Sequence, residues 1–205
     1  MTIGIQKTGR LTGKSLEYLT STGICGNLND LDRHDYFVDG TTTVVQLKYG
    51  DILPAIVNSV VDFGIIGSDT LVEESEMSKG LGRTNLHFGN CRIVIVTDKA
   101  SGAKNLVDLN NKIIATEFPN ITTNYLKKIG IDANLYRIHG SAEVFPYLGY
   151  AQAIVTIAET GNSLKANGLS ILDALLEVSA VLVYKEHAML AENDFTRLIK
   201  SLNAK

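Results

Sequence analysis

Apolar positions along the chain fall into short alternating or continuous runs, and these runs alternate with stretches at helical spacing. Ile3–Gln6 predicts a first strand, and Thr12–Ser21 a helix after the turn Lys7-Thr8-Gly9-Arg10. Thr42–Lys48 predicts a strand and Asp51–Ser59 a helix opened by an acidic residue. The mostly apolar Val60–Ile66 predicts a buried parallel strand. Cys91–Thr97 is strongly β-prone, and Lys112–Thr116 leads to Pro119, which suits the first turn of a helix running to about Lys128. Asn134–Ile138 predicts a strand ending at His139-Gly140-Ser141, and Ala151–Ile157 another that ends before Thr160-Gly161 and a short helix. Leu172–Tyr184 is again β-rich, and Glu186–Leu202 has helical spacing.

Strands alternating with helices are the signature of an α/β protein. Glycines and turn residues punctuate the units, with no low-complexity linker and no internal repeat. Residues from about 92 to 170 form a compact βαβ series with its own turns. The expected layout is therefore two lobes with the ligand cleft between them, because α/β sites lie beyond the carboxyl ends of strands. Residues 1–90 with 172–205 would make lobe I, and 91–171 lobe II.

Composition narrows the function classes. The 205 residues are 45% hydrophobic and 20% charged, enough for a real core in one large or two small domains. A formal net charge of −3 argues against nucleic-acid or membrane partners, although a local cluster of donors can still hold a small anion. The amino terminus lacks an apolar signal core, and no uncharged run approaches the length needed to span a bilayer. Cys25 and Cys91 form no metal-spacing pattern and are too few for a disulfide scaffold, so a cytoplasmic location is expected.

The strongest local signal is Ala153-Ile154-Val155-Thr156-Ile157 running into Ala158-Glu159-Thr160-Gly161-Asn162-Ser163-Leu164. A strand delivers the chain to a glycine turn, and a helix starts at once. The N–H groups of Thr160, Gly161, Asn162 and Ser163 would face outward there, with two hydroxyls beside them, as an anion site requires. Gly161 removes a Cβ that would block close approach. A plain helix cap at Thr160 uses the same groups, so the segment alone leaves both readings open. Gly140-Ser141-Ala142-Glu143 and Thr116-Glu117-Phe118-Pro119 open two further helices whose amino termini can converge on one edge.

Glu143, Gly149, Ala151, Ile154, Ile157, Thr160, Gly161 and Leu164 together resemble the signature segment of the ATP phosphoribosyltransferase family. The resemblance covers most of the chain. It includes Gln6-Lys7-Thr8-Gly9-Arg10-Leu11, Asp51-Ile52, Val60 to Gly67, Phe88-Gly89-Asn90-Cys91-Arg92, Ile114-Ala115-Thr116 with Phe118-Pro119, and Lys165 to Leu169. It implies a two-lobed fold like the type II periplasmic binding proteins. It also implies transfer of the phosphoribosyl group of phosphoribosyl pyrophosphate to N1 of the adenine of ATP, with Mg²⁺, releasing pyrophosphate in the first step of histidine biosynthesis. The anomeric carbon becomes cation-like as pyrophosphate leaves, so positioning and charge stabilisation matter more than a dedicated base.

By that resemblance Thr160, Gly161, Asn162 and Ser163 hold the ribose 5′-phosphate, and Glu143, Thr156 and Glu159 lie on the ribose side, Glu143 also being the one catalytic candidate. Lys7, Arg10, Lys48 and Asp69 face the polyphosphate and nucleotide, and no residue is assigned to the metal. Lys7 and Arg10 read equally well as solvated charges beside a turn, and Asp69 as a helix cap. Lys48 stands where the family has arginine, which keeps charge but not bidentate geometry. His139 replaces an asparagine and reads as a surface group; Cys91 reads as a small buried hydrophobe, and Asp62 as a turn-shaping residue.

Two departures matter. The family strand carries acidic residues where this chain has Gln152 and Thr156, and the second stands just before the phosphate turn. A working but divergent transferase is the first reading. The alternative is a paralogue with an altered acceptor, or with no transfer activity, acting as a phosphate- or nucleotide-binding protein. The chain's end at Lys205 leaves no room for the regulatory domain of the family's long forms. The short-form layout implies a separate regulatory subunit related to histidyl-tRNA synthetase, with a catalytic homodimer inside a hetero-oligomer.

Overall fold

The computed structural model describes residues 1–26, 34–98, 101–140 and 142–185. The expected helix at Glu186–Leu202 lies outside them. The chain forms two compact units, one of Met1–Gly89 with the described residues from Ser179 onward, the other of Asn90–Val178.

In the first unit six strands follow the order β2-β3-β1-β4-β11-β5. They are β1 (Thr2–Gln6), β2 (Tyr36–Asp39), β3 (Thr42–Leu47), β4 (Phe63–Gly67), β5 (Leu81–Asn85) and β11 (Ala180–Lys185). β1 runs parallel to β3 and β4, whereas β2, β11 and β5 pair antiparallel to their neighbours. Helices α1 (Thr12–Ser21), α2 (Tyr49–Val57) and α3 (Ser68–Glu73) follow the three parallel strands. Ile3, Ile5, Phe63 and Ile65 bury one sheet face with Leu11, Tyr18 and Leu19, while Ile52, Leu53 and Ile56 of α2 pack with Ile66, Val181 and Val183. Gly64 makes the second contact possible, because a Cβ there would come within 2.6 Å of Ile52 and Ile56.

The second unit holds five strands in the order β10-β6-β9-β7-β8. These are β6 (Cys91–Asp98), β7 (Ile113–Thr116), β8 (Asn134–Arg137), β9 (Ala153–Ala158) and β10 (Leu169–Val178). β7 runs parallel to both β8 and β9, and β6 pairs antiparallel with β9 and β10. Helix α4 (Pro119–Ile129) follows β7, with Pro119 in its first turn and Gly130 ending it in the left-handed region. Two short helices, α5 (Val144–Tyr147) and α6 (Asn162–Ala166), precede and follow β9. Val94, Val96, Ile154, Ala158 and Leu164 fill one side of the sheet, and Ile93, Ile95, Ile114, Ile121, Leu126 and Val155 the other.

Three expectations from periodicity shift. Val60–Ile66 begins its strand only at Phe63; Val60 is 71% exposed, and Asp62 accepts the Thr2 amide at 2.7 Å, clasping the start of β1. The helix expected at Asp51 begins two residues earlier, at Tyr49. The β-rich run Leu172–Tyr184 is two strands in different sheets. The break falls at Ser179, whose carbonyl accepts the Ser68 amide at 2.9 Å and whose amide donates to Ser68 Oγ at 3.2 Å. Leu172–Val178 therefore completes the second unit, and the chain passes between units at Val178 rather than after residue 171.

Candidate functional site

The parallel strands of the first unit end together. Gln6 of β1 pairs with Leu47 of β3, and the Lys7 amide donates to the Leu47 carbonyl at 2.8 Å. Lys7 to Arg10, Lys48-Tyr49 and Ser68-Asp69 thus emerge from adjacent strand ends on one edge, where α/β proteins place ligands. Lys7 Nζ lies 2.5 Å from Asp35 Oδ1 with both side chains exposed, a surface pair that solvent weakens. Lys48 is exposed at the N-cap of α2. Arg10 is half-buried and donates through Nη1 to the Gly89 carbonyl, so part of its guanidinium is already engaged.

Asp69 does not cap its helix, as one sequence reading expected. The N-cap of α3 is Gly67, and the Asp69 side chain, 1% exposed, turns back into the protein. Tyr49 Oη donates to Asp69 Oδ2 at 2.7 Å, and Thr70 Oγ1 donates to Tyr49 Oη. Asp69 Oδ1 has no hydrogen-bond partner among the described residues. A Cβ on Gly67 would lie 2.1 Å from that oxygen and 3.4 Å from Arg10 Nη2, so the glycine makes room for the carboxylate. Burial and the Asp69 carboxylate push the Tyr49 phenol well above its ordinary range, outweighing Thr70 and Arg10, and keep it a proton donor. Sequence reading missed Tyr49 and Thr70. Tyr49 and Asp69 stand 20 residues apart, and no local pattern joins them.

The second unit has an equivalent edge. Thr116 of β7 registers with Arg137 of β8 and Val155 of β9, so Glu117, His139 and Glu159-Thr160-Gly161 follow adjacent strand ends. Helices α4, α5 and α6 start at this edge, with Phe118, Glu143 and Gly161 as N-caps. Thr116 Oγ1 accepts the Phe118 amide at 2.9 Å, and Thr122 Oγ1 donates to the Phe118 carbonyl at 2.7 Å, which stiffens the turn carrying Glu117. Partial desolvation raises the Glu117 carboxyl above its ordinary range, the Glu143 carboxylate raises it further, and His139 opposes both. Glu117, His139 and Glu143 therefore form one electrostatic group, which sequence reading did not assemble. His139 is exposed, as its place at a strand end predicts.

The phosphate turn differs from expectation in two details. Its N-cap is Gly161, at φ 76°, not Thr160; the Asn162 amide reaches Thr160 Oγ1 at only 3.4 Å. No cap side chain closes the start of α6. The glycine is required by that left-handed backbone, and a Cβ would meet nothing nearer than Ile171 Cδ1 at 3.9 Å. The space before the turn is thus open. A five-residue helix carries little macrodipole, so the turn offers N–H groups and hydroxyls rather than a helix field. Glu159, Thr160, Asn162 and Ser163 are exposed there.

Behind the turn, Thr156 is 7% exposed on the β9 face it shares with Ile154 and Ala158, the face packed with Ala142 and Leu164. It therefore faces the side of the sheet from which Glu143 and the turn arise. Gln152 faces other work: its Oε1 accepts the Ile113 amide at 3.1 Å, and its carbonyl accepts Thr97 Oγ1 at 2.9 Å. Ser141 lies outside the described residues. Among those described, no three His, Cys, Asp or Glu side chains gather as metal ligands, and no helix is long and apolar enough to cross a membrane.

Comparison with known proteins places this geometry. Residues 48–204 match the HisG family model, ATP phosphoribosyltransferase. The ATP phosphoribosyltransferase of Methanopyrus kandleri is 35% identical over 185 residues, covering 89% of this chain and 64% of that protein. The chain thus spans about two thirds of that relative's length. Among solved structures, the ATP phosphoribosyl transferase (HisG:HisZ) complex from Thermotoga maritima superposes with a TM-score of 0.79 at 25% identity, covering 100% of both chains. The substrate binding protein of an amino acid ABC transporter superposes at 0.64 with 14% identity, over 99% of this chain and 91% of that one. That likeness shows the periplasmic-binding-protein-like fold.

Proposed function

The chain belongs to the ATP phosphoribosyltransferase family, and on that premise we propose that it joins ATP to phosphoribosyl pyrophosphate, giving N1-phosphoribosyl-ATP and pyrophosphate. The observation that carries the reading is the open, uncapped turn Thr160–Ser163, at the end of a strand within the family's signature segment. In this reading the amides of Gly161, Asn162 and Ser163 and the hydroxyls of Thr160 and Ser163 hold the 5′-phosphate. Such donors fix the sugar without a proton having to move.

Glu143, Glu159 and Thr156 serve the ribose side, and a carboxylate there stabilises positive charge developing at the anomeric carbon. Lys7, Arg10 and Lys48 oppose the negative charge of the departing pyrophosphate and of the ATP phosphates, and Asp69 accepts a donor from the nucleoside. Glu117 and Glu143, whose carboxylates repel each other at this edge, are the residues that would face magnesium carried on its diphosphate. When bound, Mg²⁺ would neutralise charge on the leaving group.

The likeness to the Thermotoga HisG:HisZ complex supports a partner subunit. In this reading that subunit is regulatory and related to histidyl-tRNA synthetase, this chain forms a homodimer within the assembly, and the enzyme works in the cytoplasm. Pyrophosphate release on mixing the protein, such a subunit, ATP, phosphoribosyl pyrophosphate and Mg²⁺ tests the reading. Both ligands binding without release, with the subunit bound, would leave a binding protein instead.

A further inference from the structure

Asp69 presents an unusual balance. Its carboxylate is 1% exposed, yet only one of its two oxygens has a hydrogen-bond partner among the described residues. A buried acceptor left without a donor keeps its full desolvation cost, so such an oxygen persists where something else supplies the donor or holds the group in place. Here the holding group is visible. Tyr49 Oη donates to Oδ2 at 2.7 Å and is itself oriented by Thr70 Oγ1, while Gly67 leaves the space that Oδ1 occupies.

We propose that Tyr49 is a positioning residue for nucleotide recognition: it locks the Asp69 carboxylate in the orientation that leaves Oδ1 for a donor on the bound nucleotide. This inference rests on the assignment of Asp69 to the nucleotide made under the proposed function. The geometry explains why a tyrosine opens α2 beside an exposed lysine. Its phenol reaches from the end of β3 past β1 to the end of β4 and ties together two strand ends that do not pair directly. Thr70 takes the phenol's acceptor side, which leaves the phenolic proton for Asp69. Arg10, engaged with the Gly89 carbonyl, lies near Gly67, and Tyr49 remains the group that hydrogen-bonds the Asp69 carboxylate.

The test measures ATP and phosphoribosyl pyrophosphate affinity separately by calorimetric titration, with steady-state kinetics of the assembled enzyme. Tyr49→Phe keeps the ring and removes the donor. It should weaken ATP binding and raise the KM for ATP about tenfold, the usual order for a hydrogen bond to a charged group. Its kcat at saturating ATP and its affinity for phosphoribosyl pyrophosphate should stay within twofold of the parent. Gly67→Ala, which displaces the carboxylate from the other side, should weaken ATP binding similarly. Combined with Tyr49→Phe it should add little, because both act through Asp69. Asp69→Asn separates the two levels. If Asp69→Asn weakens ATP binding while Tyr49→Phe does not, Tyr49 holds nothing and the inference falls while the nucleotide assignment stands. If neither variant changes ATP binding, the assignment of Asp69 fails and takes the inference with it. An equal loss for both ligands with a lowered Tm would show a merely structural tyrosine and overturn it too.

Discussion

Gln152 accepts the Ile113 amide on its side-chain oxygen at 3.1 Å, and its own amide donates to the Ile113 carbonyl at 2.9 Å, extending the β7–β9 pairing by one residue. The position where the family resemblance expects an acidic residue thus carries an acceptor used by the backbone. Gln152→Ala strands the Ile113 amide and should destabilise the fold by about 1–2 kcal/mol in urea unfolding. Gln152→Glu retains an acceptor and should leave both stability and phosphoribosyl pyrophosphate affinity close to the parent. A clear gain in that affinity would show that the missing carboxylate belonged to the site after all.

Thr156 is the contrasting position, 7% exposed on the face from which the phosphate turn arises. Thr156→Asp should tighten phosphoribosyl pyrophosphate binding about tenfold to a hundredfold, the range for one charge-assisted hydrogen bond. The same buried carboxylate should lower the Tm of the ligand-free protein, and added ligand should restore more of it than in the parent. Unchanged affinity would remove Thr156 from the ribose side.

Glu117 ties stability to pH. Its folded carboxyl is raised by partial desolvation and by Glu143, so the folded state binds a proton more readily than the unfolded chain. Stability from this group is therefore full below the ordinary glutamate range, about pH 4.3, and is lost as pH rises through the folded value. Thermal unfolding of the parent and of Glu117→Gln should diverge across that window, with the parent losing ground as pH rises. Glu143→Gln should shrink the divergence and His139→Asn enlarge it. Parallel pH curves for parent and Glu117→Gln would contradict the coupling.

Cys25 is 3% exposed, and burial, with help from Asp39, pushes its thiol up to about 11. At pH 8 only about one thiol in a thousand would be thiolate, the reactive form. In a Cys91→Ser background, labelling by a disulfide reagent should be slow at pH 8 and climb nearly tenfold per pH unit toward 11. Asp39→Asn should speed it, and rapid labelling at neutral pH would refute this environment.

Much of this protein was legible along the chain. Apolar periodicity located β1, α1, β3, β6, α4 and β9 to within a residue or two, because each buries one face whatever surrounds it. The glycine turn after β9 was equally readable, since a left-handed backbone at Gly161 needs the same residue type in any context. Other features depended on partners distant in sequence. The division of Leu172–Tyr184 at Ser179 rests on Ser68, 111 residues earlier, and the second edge gathers Glu117, His139 and Glu143 only because β7, β8 and β9 lie side by side. Asp69 shows the limit most clearly. Its place at a helix start suggested a cap, and only the folded sheet, by bringing Tyr49 from the end of β3 on the far side of β1, turned its carboxylate inward and left one oxygen for a ligand. Local chemistry decides which backbone a segment can adopt; which side chains meet is decided by strand order, which periodicity does not encode.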